Sequence, residues 1–137
     1  MPFLRAQLER LDRGVGVATA IDYPVQAITF GDDLAWVFLA GEVVVDYAIR
    51  IERAFDGART WVHAYAGACP GYVPSERVLR EGGYEGGATT IYYDIPAPWA
   101  AGLEDAIVGA VGRCLGDAFD APDASRTGGV RVKEIGR

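Results

Sequence analysis

Phe3, Leu4, Leu8 and Leu11 recur at helical spacing, so residues 2–11 read as a short opening helix with proline in its first turn and Gly14 behind it. Residues 15–30 alternate apolar and polar positions on both sides of Asp22-Tyr23-Pro24, the pattern of two strands around a turn. A second turn, Gly31-Asp32-Asp33, leads into the unbroken apolar run 34–39, which suits a strand covered on both faces. Beyond Gly41 the apolar positions Val44, Tyr47, Ala48, Ile51 and Phe55 lie on one side of a helix, with Asp46, Arg50 and Arg53 on the other. Residues 61–66 form the next predicted strand and 67–74 a loop. Ser75 is placed to cap a short helix through Arg80, ended by Gly82-Gly83. Residues 89–93 read as a further strand. Leu103, Ile107, Ala110, Val111 and Cys114 then set out a last amphipathic helix, with Glu104 and Asp105 in its first turn and Gly109 and Gly112 as weak points.

This order predicts an α/β fold: a mixed layered sheet with helices packed on it. Residues 1–119 form one domain, 120–129 a polar linker, and 130–135 a short terminal strand or frayed tail, so that 120–137 is linker and tail. If the strands at 34–39 and 61–66 are parallel, the segments 40–42 and 67–74 leave the same sheet edge, where ligands of open α/β sheets bind. Glu42 and Tyr72 would then converge. Glu42 is also predicted at a helix N-terminus, where it either stabilises the first turn or offers an anionic oxygen to a metal or a cationic substrate. Tyr72 and Tyr84 lie in glycine-rich loops, either as covers over the core or as hydroxyls aimed into a cleft.

Composition narrows the partners. The chain has 137 residues, half of them apolar, and a net charge of −6. No basic cluster is present, which excludes a nucleic-acid surface. The apolar run starting at Leu34 is broken by Gly41 and Glu42 and is too short to span a membrane. Cys69 and Cys114 read as two free thiols, which makes a reducing, cytoplasmic setting the default. A chain cut from a secreted precursor would look the same.

Phe38-Leu39-Ala40-Gly41-Glu42-Val43 resembles a glutamate-bearing turn of the neutral, non-lysosomal ceramidase family, with alanine at position 40 where proline is common there. Ala64-Tyr65-Ala66-Gly67, Tyr72-Val73-Pro74-Ser75 and Glu81-Gly82-Gly83-Tyr84-Glu85-Gly86-Gly87 are similar to its downstream segment, in the same order and spacing. The likeness runs from about residue 23 to residue 111 and identifies the chain as resembling the C-terminal part of a catalytic domain, a partial domain of a larger α/β zinc hydrolase. The resemblance implies hydrolysis of N-acylsphingosine, a lipid-like N-acyl amide. It implies Glu42 and Tyr72 as zinc ligands, Tyr72 and Tyr84 as hydroxyls beside the substrate carbonyl, and two further histidine ligands from upstream sequence. This chain has one histidine, His63, placed by alternation on a strand face with Trp61 and Tyr65 and read as structural. Zinc is therefore expected only if another segment or chain supplies the missing ligands, and the chain alone is expected to be inactive. A homo-oligomer or an upstream catalytic segment is the expected partner. The competing expectation is a binding or self-association module that keeps the fold without the chemistry.

Overall fold

The computed structural model describes residues 2–16, 19–93, 95 and 98–122. Within them the chain is α/β, with a small mixed sheet. Strand β1 (Val25–Phe30) pairs antiparallel with β2 (Leu34–Leu39) across the turn at residues 31–33, and β2 pairs parallel with β4 (Thr60–His63). Helix α2 (Asp46–Ala54) makes the crossover between the two parallel strands. A two-stranded parallel pair, β3 (Glu42–Val43) with β5 (Tyr72–Val73), stands beside this sheet. Helices α1 (Pro2–Asp12), α3 (Glu76–Glu81) and α4 (Leu103–Leu115) complete the regular elements, with tighter turns at Tyr84–Ala88, Thr90–Tyr92 and Asp117–Phe119.

The core has two layers. Ala35, Val37 and Leu39 project from one face of β2 onto Tyr47 and Ile51 of α2 and Ile107, Val108, Val111 and Leu115 of α4, closed by Val73 and Phe119. Gly112 earns its place in α4: a Cβ there would meet the Phe55 ring at 3.2 Å. Leu8 and Leu11 of α1 are exposed and lie outside this core.

The predicted cover on both faces of β2 is not found. Along the strand Ala35, Val37 and Leu39 are buried while Leu34, Trp36 and Phe38 are only half-buried. The rows Ile28–Trp36–Trp61 and Gln26–Phe38–His63 run across the open side of the sheet. An unbroken apolar run says that both faces dislike water; it does not say that the described chain covers both.

Three other predicted elements change. Residues 15–16 and 19–24 form no strand, because the Tyr23 hydroxyl donates to the Ala40 carbonyl at 2.7 Å and ties this segment across the end of β2 instead. Residues 89–93 form turns rather than a strand: Thr89 and Thr90 hydroxyls donate to the Tyr84 and Gly87 carbonyls at 3.2 and 2.8 Å, competing with a strand ladder. The strand predicted at 61–66 runs from Thr60 to His63, and Tyr65 turns out of it with a φ of 57°. Of the linker and tail expected at 120–137, Asp120 instead joins the fold through an antiparallel bridge to Phe55, and residues 123–137 lie outside the described residues.

Candidate functional site

Glu42 is not at a helix N-terminus. Val43, Val44 and Val45 are β-branched and favour extended backbone, so the chain first makes β3, and α2 begins only at Asp46. The reason Glu42 points where it does is therefore a strand pairing. Its N–H donates to the Gly71 carbonyl at 2.9 Å and Val44 donates to Val73 at 3.3 Å. Gly41, with a φ of 75°, lets the two loops approach; a Cβ there would lie 2.7 Å from the Gly71 oxygen.

In that ladder Glu42 and Tyr72 are direct register partners. Tyr84 joins them, its ring 5.3 Å from that of Tyr72 at 71°. Glu42 and Tyr72 line a cleft of about 330 Å³ together with Asp46, Arg77 and Glu85, while Tyr84 reaches the cluster through its ring contact with Tyr72. Trp99 braces the site from behind by donating its indole N–H to the Tyr72 carbonyl at 2.8 Å. Trp99 also walls a second, apolar cavity of about 380 Å³ with Ile21, Ile95, Leu103 and Ala106.

Two tyrosines that sequence reasoning passed over belong to the cluster. Tyr65 lies near Glu42, whose carboxylate is the main cause that pushes the Tyr65 phenol up to about 12. Tyr93 packs 6.4 Å from Tyr72 at 82° and fills the space left by Gly71. The Tyr72 phenol is also pushed up to about 12, by desolvation first and then by hydrogen bonding to Glu42. Both phenols are therefore neutral donors at ordinary pH. The signal available in the sequence was indirect: a density of tyrosines in glycine-rich loops.

Charge in the cleft is unevenly balanced. Arg77 reaches Asp46 through Nε and Nη2, both at 3.1 Å, and Glu81 through Nη1 at 2.8 Å. Arg77 and the Ser75 hydroxyl hold the Asp46 carboxyl below its usual range. Neither Glu42 nor Glu85 has an ion-pair partner among the described residues.

His63 stays apart from this site. It ends β4 on the open sheet face, its ring 4.9 Å from Trp36 and 5.7 Å from Phe38. Among the described residues no three His, Cys, Asp or Glu side chains converge as a metal site would require. Glu42 and Tyr72, one carboxylate and one phenol, fall short of the three protein ligands that catalytic zinc takes. No family model matches the chain, and no curated protein or solved structure matches it either.

Proposed function

We propose that this chain is the ceramidase-like C-terminal segment of a zinc amidohydrolase domain, inactive alone and completed by histidines from an upstream segment or another chain. The observation that carries this reading is the register pairing of Glu42 with Tyr72, with Tyr84 against Tyr72. Those are the three residues that the resemblance assigns to metal and carbonyl. In amide hydrolysis water adds to the carbonyl carbon and the C–N bond breaks, releasing a fatty acid and a sphingoid base. What this segment contributes is hydrogen-bond donation to the carbonyl oxygen as charge builds on it, from the neutral phenol of Tyr72 and from Tyr84. The apolar cavity behind Trp99 suits a hydrocarbon portion of such a substrate.

The decisive experiment incubates the chain with zinc and a fluorescent N-acylsphingosine, with and without a histidine-bearing upstream segment. Turnover is expected only in the mixture, and is expected to fall at least about 100-fold with Glu42→Gln. Robust hydrolysis by the chain alone, or by the mixture regardless of Glu42, overturns the reading. The second reading, a binding or self-association module, is favoured by one observation: the uncovered aromatic face of the sheet.

A further inference from the structure

Parallel strand pairs occur where both faces of a sheet are covered, because crossover helices bury them on each side. Here β2 and β4 are parallel, yet α2 and α4 pack against one face only. On the other face the rows Ile28–Trp36–Trp61 and Gln26–Phe38–His63 run across all three strands. Their rings interlock: Trp36 stands 6.4 Å from Trp61 at 87°, 5.2 Å from Phe38 and 4.9 Å from His63. Such a platform is ordered before anything docks on it, so little side-chain freedom is lost on binding.

Charge and area say what the platform fits. The three strands contain no Asp, Glu, Lys or Arg, whereas the whole chain carries a net charge of −6. Two copies can therefore meet through this face without opposing like charges, while a strongly charged partner finds no counter-charge on it. Ile28, Phe30 and Trp61, each more than half exposed, offer with their half-buried neighbours roughly 600 Å² per copy, and a pair of copies would bury about 1,200 Å², the lower end of specific interfaces. A flat, uncharged face is complementary to itself, as a two-fold contact requires. We propose that this face is a homodimer interface in which the sheets of two copies pack about 10 Å apart, forming a helix–sheet–sheet–helix sandwich. None of the residues lining the Glu42–Tyr72 cleft belongs to β1, β2 or β4. The inference rests on the self-association reading and is independent of hydrolysis.

The test is sedimentation equilibrium of the full chain, in reductant so that the exposed Cys69 and Cys114 do not cross-link copies. A monomer–dimer equilibrium is expected with a Kd on the order of 10 micromolar. It should tighten several-fold as sodium chloride rises from about 0.05 M to about 0.5 M, because screening relieves repulsion between two acidic chains. Trp61→Glu and Ile28→Lys are each expected to weaken pairing at least about 30-fold, since each buries a charge without a partner. Leu8→Glu, on α1, is expected to leave it unchanged. Circular dichroism verifies that the variants fold; the salt dependence needs no variant and carries the test if they do not. A chain that is monomeric at about 1 mM overturns the proposal. So does pairing that weakens in salt, that survives both face substitutions, or that Leu8→Glu abolishes, the last assigning the face to α1 instead. No amide or metal is present, so failure would leave the hydrolysis experiment untouched, and lack of hydrolysis would leave the dimer standing.

Discussion

At the residue scale the site depends on a glycine, Gly71, that lets two loops touch. Gly71 has a φ of 108°, and a Cβ there would lie 2.7 Å from the Tyr93 ring. Gly82, with a φ of 72°, has open space around it. Both alanine substitutions force an L-residue into left-handed backbone, costing roughly 1–2 kcal/mol. Gly71→Ala alone also drives a side chain into the tyrosine cluster, adding about 1–3 kcal/mol of overpacking. Denaturant melts should therefore show Gly71→Ala as clearly the more damaging, with loss of ordered tyrosine signals in near-ultraviolet dichroism. Equal costs would mean that Tyr93 is free to move aside. The Gly71–Tyr93 contact was not legible in advance, since glycine in a loop announces a turn but not what approaches it.

At the scale of elements, a polar network ties the helices together on one side of the core. Ser75 caps α3 by accepting from the Val78 N–H at 3.2 Å, and its hydroxyl donates to Asp46 Oδ2 at 2.5 Å. Buried Glu104 accepts from the Glu76 N–H at 2.7 Å and pairs with Arg50 at 3.0 Å, joining α4, α3 and α2. Ser75→Ala should cost about 1 kcal/mol by thermal unfolding. The pH dependence follows from Asp46, whose folded pKa lies below its ordinary 3.8. Such a group stabilises the fold above the unfolded pKa, and the contribution is lost as pH falls through the folded value. Asp46→Asn should therefore be less stable than the parent at pH 7, with the gap closing as pH falls below the ordinary carboxylate range; a gap constant with pH would discount the pairing of Asp46 with Arg77 and Ser75. Arg77 is more than half exposed, so solvent screens part of the effect. The Ser75 cap was readable from sequence because capping is local. The Glu104 bridge was not, because an acidic residue in a first helical turn has a sufficient local explanation already.

For the whole molecule, the open face of the sheet is the largest departure from a self-sufficient fold. Trp61, Phe30 and Ile28 are each more than half exposed there, beside Trp36 and Phe38. A contiguous aromatic patch of this kind marks a contact surface. Without an upstream segment, a second copy is the expected occupant. Sedimentation should show concentration-dependent self-association of the chain, reduced to monomer by Trp61→Glu. A chain that stays monomeric at high concentration would remove this face as an interface.

Local pattern alone determined much of this protein. Alternation located β1, an unbroken apolar run β2, helical spacing α2 and α4, and Ser75 α3, and the glycine-flanked Glu42, Tyr72 and Tyr84 were recognisable as candidates. Those features depend on near-neighbour backbone preferences and on periodicity, which a linear chain carries in full. Tertiary structure decided the rest: that Glu42 lies in a strand paired with Tyr72, that Tyr65 and Tyr93 join it, and that one side of β2 faces water. Register, ring stacking and burial depend on which segments meet in space, and periodicity is the same whether or not a partner arrives.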